Sequence, residues 1–146
     1  MTTKSSGFTL IELMVVIAII GTLSAVATVM YGSYQASAKR TAAKNTMQQI
    51  SLGQIEYQSS YGTNYYNETG GAECTPSNGR GDGTSSNNIE THLFQGGDII
   101  TKENGYDMCI QLGPDDNGYL IKASNGKAGD DAVNITLDHT GTWGTF

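Results

Sequence analysis

The chain has 146 residues and a formal net charge of −6. The acidic excess follows Asn45, where thirteen Asp and Glu residues stand against four Lys and Arg residues. An acidic surface repels phosphate backbones, so this composition disfavours nucleic-acid binding by that part of the chain. About 45 residues belong to an apolar N-terminal region and the polar segment before it, which leaves roughly 100 for one small domain.

The N-terminal region starts polar and then becomes strongly apolar. Residues 1–7 are short and polar, with one positive charge at Lys4. After Glu12 the next charged residue is Lys39, and residues 13–29 are almost entirely apolar. A helix of about 20 apolar residues spans the hydrocarbon core of a bilayer. The sequence therefore predicts a membrane-spanning helix with one carboxylate, Glu12, near its start.

Gly7 precedes the apolar segment, unlike the cleavage site of an ordinary secretory signal. Such a signal is cut after its apolar stretch, and the stretch is lost from the mature protein. Processing at Gly7 would instead keep the helix in the product. A carboxylate in low dielectric is tolerable mainly when it is paired, so Glu12 is a candidate functional residue. The alternative is an ordinary charge at the lipid headgroup boundary.

Residues 7–31 resemble the type IV pilin family, of the type IVa kind, and read GFTLIELMVVIAIIGTLSAVATVMY. The resemblance implies that a prepilin peptidase cuts between Gly7 and Phe8 and methylates the new amine of Phe8. It also implies that Glu12 neutralises the N-terminal amine of a neighbouring subunit as a filament grows. The partners implied are other pilin subunits, the peptidase, the membrane and the inner-membrane assembly machinery.

The resemblance further implies three parts along the chain. Residues 1–7 would be a leader peptide and residues 8–35 a transmembrane and polymerisation helix. Residues 36–146 would form a periplasmic globular domain that includes the second half of the helix. The protein would lie in the inner membrane before assembly and in an extracellular pilus afterwards.

The helix is expected to continue past the membrane, from Phe8 to near Tyr61. Mostly apolar residues recur at helical spacing along one stripe of its surface. No proline interrupts the helix, because the first proline of the chain is Pro76. The stripe consists of Ala36, Ala43, Met47, Ile50, Gln54, Tyr57 and Tyr61. Leu52 and Ile55 lie on the opposite face, which indicates that an assembly buries a second side of the helix.

Residues 62–95 are rich in Gly, Ser, Asn and Thr and are predicted to form a long loop. Cys74 lies in this loop and Cys109 follows it. An even cysteine count in an exported domain favours a disulfide, worth about 4 kcal/mol in the chain-entropy model; two free buried thiols are the alternative. No metal site is predicted, because neither cysteine has a second Cys or a His at ligand spacing. Four tyrosines near the helix end are expected to pack under the loop, with ligand stacking as the alternative: Tyr57, Tyr61, Tyr65 and Tyr66.

Three segments with period-2 alternation follow, at residues 106–112, 119–123 and 133–138, separated by turn residues. They predict an antiparallel meander with one apolar face, and a further edge strand is expected around Ile99 and Ile100. The sheet must bury its apolar face, and the helix stripe is the available partner. The predicted class is α+β, a long N-terminal helix packed on a small antiparallel sheet, and the pilin resemblance implies the same fold. Acidic pairs at 115–116 and 130–131 are interpreted as turn residues and not as calcium ligands.

The sequence contains no catalytic constellation and no cofactor loop, so neither an enzyme nor a bound cofactor is predicted. The predicted function is a structural subunit of a type IV pilus that supports adhesion, twitching motility or DNA uptake. A minor subunit is favoured because Val29 stands where the family usually has proline, which leaves only Gly21 and Gly32 to weaken the helix. The alternatives are a pseudopilin of a type II secretion system and a pilus-associated DNA receptor.

Overall fold

The computed structural model describes residues 7–62, 64–68, 70, 72–76, 81, 83–113, 118–129 and 132–146. Internal contacts divide the chain into two compact units, Met1–Ala38 and Lys39–Phe146. Several sequence predictions lie outside the described residues: the polar segment 1–6, most of the turns at 78–83 and 114–118, and the acidic pairs at 115–116 and 130–131.

The first helix, α1, is Leu10–Tyr61, which confirms the predicted long N-terminal helix. It continues through Gly21 and Gly32 without interruption. Among the described residues it is the one helix long and apolar enough to cross a membrane, with a mean hydropathy of 2.5 over its most apolar window. The large apolar side chains of the first unit are exposed in the isolated chain, from Phe8 at 90% to Val16 at 47%. Such exposure is expected of a segment whose surroundings are lipid or other helices.

In the second unit, one face of α1 forms the base of the core. Ala43, Met47 and Ile50 are fully buried, as the helical stripe predicts. Gln54 is also fully buried and is bonded to the backbone of Tyr66 in both directions: its Nε2 donates to the carbonyl oxygen at 2.8 Å, and its Oε1 accepts from the amide at 2.8 Å. A buried amide is stable only when its polar atoms are paired in this way. The end of the stripe differs from the prediction, because Tyr61 is 75% exposed.

The sheet is a four-stranded antiparallel meander in the order β1-β2-β3-β4. Its strands are β1 Asp107–Leu112, β2 Tyr119–Ser124, β3 Asn134–Asp138 and β4 Trp143–Gly144. Alternate side chains point into one core with α1, among them Met108, Ile110, Ile121, Ile135 and Leu137. The three predicted strands and the α+β class are therefore confirmed. The hydroxyl of Tyr119 lies 2.6 Å from that of Ser51 on α1.

A second helix, α2, is Thr84–Leu93, in a region that the sequence predicted to be loop. Its composition is poor in strong helix formers, so tertiary contacts stabilise it and intrinsic propensity does not. Ile89 is fully buried in the core, and Asp107 on β1 binds the helix start. The Oδ1 atom of Asp107 accepts from the amide of Gly83 at 3.0 Å and from the hydroxyl of Ser86 at 3.1 Å. A carboxylate at a helix N-terminus satisfies otherwise unpaired amides.

The expected edge strand around Ile99 and Ile100 is wrong. Both backbone amides donate to one carboxylate oxygen, Oε1 of Glu90 on α2, at 2.8 Å and 2.7 Å. Donors used in this way cannot pair with a neighbouring strand. Ile100 is nevertheless buried, so its apolar character reflects the core and not a sheet edge.

Cys74 and Cys109 form a disulfide across a sequence separation of 35 residues. The bond attaches the segment around Cys74 to β1. Lys122 on β2 secures the same segment, because its Nζ donates to Glu73 at 2.8 Å and to the carbonyl oxygen of Cys74 at 3.2 Å. The ammonium of Lys122 beside Glu73 lowers the pKa of that carboxyl group.

Candidate assembly and processing site

Glu12 forms the first turn of α1 together with Thr9. Its Oε2 atom accepts two hydrogen bonds from Thr9, from the backbone amide at 2.8 Å and from the hydroxyl at 2.7 Å. The amide of Glu12 lies 3.4 Å from the Thr9 hydroxyl oxygen and donates to it. This reciprocal arrangement is a capping box, in which two orphan amides of the helix start are satisfied. Among the described residues both bonds of the carboxylate use Oε2, which leaves Oε1 available to a partner from outside the chain.

The side chains around Glu12 are apolar, and they determine how strongly a charged partner would interact with its carboxylate. Phe8, Ile11, Val15 and Val16 line a shallow depression of about 350 Å³ around the carboxylate. All of these residues are exposed in the isolated chain. If another helix or lipid covers this face, the carboxylate loses water, and an opposite charge becomes worth much more than in solution.

Gly7 and Phe8 lie before the helix in non-helical backbone, and both are exposed. A Cβ placed on Gly7 would meet no atom within 4 Å. The peptide bond between them is therefore sterically accessible, which a peptidase substrate requires. The three N-terminal residues of interest thus lie within one six-residue segment of the chain: Gly7, Phe8 and Glu12.

Thr9 is the residue of this site that the sequence prediction missed. The spacing Thr9-x-x-Glu12 immediately before an apolar run is the sequence signature of a capping box. From that spacing alone, Glu12 could have been predicted to cap its own helix, in addition to pairing with a neighbouring subunit as the resemblance implies.

Residues 2–28 match the family model described as the prokaryotic N-terminal methylation motif. The match covers less than a fifth of the chain, and its motif is the prepilin signal that supports a type IV pilin-like or pseudopilin protein. No curated protein and no solved structure matches the chain. The motif implies processing by a prepilin peptidase and assembly with other pilins. The motif and the apolar helix also fit anchoring in a membrane before assembly.

The second unit carries the four tyrosines near the end of α1. Tyr57 and Tyr61 stack with ring centroids 4.6 Å apart, and Tyr66 stacks on His92 of α2 at 4.9 Å. Tyr65 contacts Tyr119 edge to face. Burial, together with nearby Glu68 and Tyr57, raises the pKa of Tyr66 to about 12. Within the described residues no group of His, Cys, Asp and Glu has the arrangement of a metal site.

Glu68, next to this cluster, has one carboxylate oxygen that is buried and unpaired within the described part of the chain. Burial raises the pKa of Glu68, while a hydrogen bond from Ser85 and the nearby His92 oppose the shift. A raised folded-state pKa means that the folded protein binds this proton more tightly than the unfolded chain. Glu68 therefore contributes to the free energy of unfolding at low pH, and this contribution is lost as the pH rises through the folded-state pKa.

We expect Glu68→Gln to raise the melting temperature at pH 7 by a few degrees, because the substitution removes the cost of ionising a partly buried group. The gain should shrink as the pH is lowered toward 4. Thermal unfolding across this pH range checks it, with Glu56→Gln as the control, since Glu56 is exposed on α1. Parallel pH profiles for wild type and Glu68→Gln would contradict this account.

Proposed function

We propose that the protein is a structural subunit of a type IV pilus, and a minor one. The observation that carries the proposal is a single carboxylate, Glu12, held at the start of a membrane-length apolar helix directly after an accessible Gly7–Phe8 bond. That arrangement suits removal of the leader, residues 1–7, retention of the helix, and pairing of Glu12 with the amine of another subunit. The role is structural and needs no cofactor.

The same proposal assigns the parts of the chain. Residues 8–35 anchor the protein in the inner membrane and later join the helical core of the filament. Residues 36–146 face the periplasm and then the exterior. The disulfide supports an exterior location, because disulfides persist in oxidising compartments.

The mature chain is expected to begin at Phe8 with one added methyl group on its amine. Intact mass of protein recovered from the membrane or from filaments measures this directly. Gly7→Leu should leave the leader attached, because a branched side chain replaces the small residue at the cut, whereas Gly7→Ala should be processed at least partly. A wild-type mass that retains Met1 would refute the assignment of Gly7 and Phe8.

The assignment as a minor subunit rests on Val29 and on the position of the disulfide. A helix without the family's usual proline has less reason to melt there, and Cys109 leaves β2, β3 and β4 outside the disulfide-closed segment. We expect quantitative mass spectrometry of sheared pili to find the chain at a trace level beside a dominant pilin. Finding it as the most abundant pilin would reverse the assignment to the main subunit.

Two further experiments address the two alternatives. Absence from pili, together with loss of protein secretion when the gene is deleted, would indicate a pseudopilin of a type II secretion system. A DNA receptor would shift DNA in a gel with strong salt dependence, which the acidic composition disfavours.

A further inference from the structure

The tyrosines near the end of α1 line an open cleft of about 440 Å³ within the second unit. We call it the tyrosine cleft, and its walls come from α1, from the segment that follows it and from α2. Its lining consists of three kinds of side chain, phenols, amides and one imidazole: Tyr57, Tyr61, Asn64, Tyr65, Tyr66, Asn67 and His92.

Two stacked ring pairs are part of the lining of the tyrosine cleft. Tyr57 and Tyr61 stack with an interplanar angle of 30°, and Tyr66 and His92 stack at 20°. Tyr57 also meets Tyr66 edge to face at 5.8 Å, so the two pairs form one connected cluster. Each stacked pair uses one face of each ring and leaves the outer face of the exposed partner open. Tyr61, at 75% exposed, and His92 are those exposed partners.

Hydrogen bonds hold the Tyr66–His92 pair in place on both sides. Gln54 clamps the backbone of Tyr66 through its two hydrogen bonds. On α2, Nδ1 of His92 lies 2.8 Å from the carbonyl oxygen of Asn88, and because a carbonyl only accepts, Nδ1 carries the proton. A ligand that stacks on this pair does not have to order it, and preorganisation of this kind favours affinity.

Among the described residues that line the tyrosine cleft, none is an Asp, Glu, Lys or Arg. These residues offer no carboxylate, ammonium or guanidinium group as a countercharge to a phosphate, a sulfate or an ammonium ligand, although the domain as a whole is acidic. It offers flat apolar faces beside hydroxyl and amide groups that donate and accept hydrogen bonds, including the exposed amide of Asn64. A pyranose ring has the matching chemistry, with one face of C–H groups and a rim of hydroxyls. We propose that the tyrosine cleft binds a neutral saccharide, one or two sugar units long.

Two other ligand classes fit the tyrosine cleft less well. An aromatic cage for a quaternary ammonium group needs ring faces that converge on one point, whereas here the rings stack on each other in pairs. A single-stranded nucleic acid also stacks on aromatic rings, but it requires Lys or Arg residues along its backbone, and the part of the lining that the structure describes contains neither.

The binding site is a property of this chain's own surface, and only its use in adhesion rests on the proposed function. Binding is therefore tested on the unassembled full-length chain. Failure to bind sugar and failure to enter a filament are separate results.

The test is saturation-transfer difference NMR with the full-length chain in a polyoxyethylene ether detergent, whose headgroup is not a sugar. The probes are lactose, maltose and N,N′-diacetylchitobiose. We expect saturation transfer to C–H protons on one face of a pyranose ring of at least one probe. Tyr61→Ala should weaken that binding about tenfold through loss of one stacking face, while Tyr61→Phe, which keeps the ring, should stay within about threefold of wild type.

Tyr34→Ala is the control for removal of a tyrosine ring from α1, because Tyr34 lies outside the tyrosine cleft and is 68% exposed in the isolated chain, against 75% for Tyr61. It should bind the probe as wild type does. The proposal is overturned if none of the three disaccharides receives saturation, if Tyr61→Ala binds unchanged, or if Tyr34→Ala loses binding. Tighter binding of sialyllactose than of lactose, or preferential binding of tetramethylammonium, would equally overturn a site for neutral sugars.

Discussion

Glu12→Leu is expected to reduce incorporation of the protein into filaments by on the order of a hundredfold while leaving it in the membrane. In the proposed assembly the substitution leaves a neighbour's N-terminal amine without its partner in low dielectric, and breaking a buried ion pair from one side costs about 3–5 kcal/mol. Insertion itself should be unchanged or stronger, because a carboxylate in a membrane helix is costly. The measurement compares the variant in sheared filaments with the variant in the membrane fraction.

Glu12→Gln separates the two roles that the structure gives this side chain. Glutamine can still close the capping box with Thr9, because its side-chain oxygen accepts the same two bonds, but it carries no charge. If pairing with an amine drives assembly, Glu12→Gln should fail nearly as completely as Glu12→Leu. Wild-type incorporation of Glu12→Gln would show that the helix cap, and not the charge, is what assembly requires.

Cys109→Ser is expected to lower the melting temperature of the globular part by about 10–20 °C. Loss of a native disulfide from a small exported domain costs about 2–5 kcal/mol, and each kcal/mol corresponds to about 4–8 °C for a domain of this size. We expect a large effect because both cysteines are buried: Cys109 on β1 is fully buried, and Cys74 is 4% exposed. Thermal unfolding of the full-length chain, followed by circular dichroism, measures the change.

Cys74→Ser provides the matched test, because both variants remove the same bond. The two single variants and the double variant should have nearly equal melting temperatures, since residues that act as one unit are not additive. Wild type treated with a reductant should approach the same value. A double variant that is destabilised by the sum of the single effects would mean that the thiols contribute through packing and not through a shared bond.

The long helix and the meander were predictable because their periodicity is strong. Residues 13–29 are apolar enough to identify a membrane-length helix without any tertiary information, and Met47 and Ile50 continue it at helical spacing. The alternation in residues 106–112 identifies β1 in the same way. In each case the signal comes from many residues that agree, so a single exception does not change the result.

The missed elements depend on single tertiary contacts. Helix α2 carries the spacing Ser86, Ile89 and Leu93, which is the one sign of a buried face in a segment of weak helix formers. Its start is stabilised by Asp107, whose position depends on the folded sheet. Glu90 likewise takes the amides of Ile99 and Ile100 out of any sheet, through contacts that no local pattern contains.

At the N-terminal site, the exposed Gly7–Phe8 bond and the isolated charge of Glu12 could be expected from the order of residues alone. The role of Thr9 could also have been expected, from its spacing to Glu12. What no sequence pattern contains is the tyrosine cleft, because Tyr66 and His92 are brought together by the path of the chain between α1 and α2.

The capping box also bears on how readily subunits can come apart. Under the proposed pairing, an incoming amine finds a carboxylate that already has two hydrogen bonds from Thr9, at 2.8 Å and 2.7 Å. Because both bonds use Oε2, an amine can bind Oε1 without breaking the cap, and the contribution of Glu12 to docking starts from a carboxylate that is already hydrogen-bonded. A subunit that leaves the filament keeps its cap and does not return to a carboxylate without partners, so the contact is suited to repeated making and breaking.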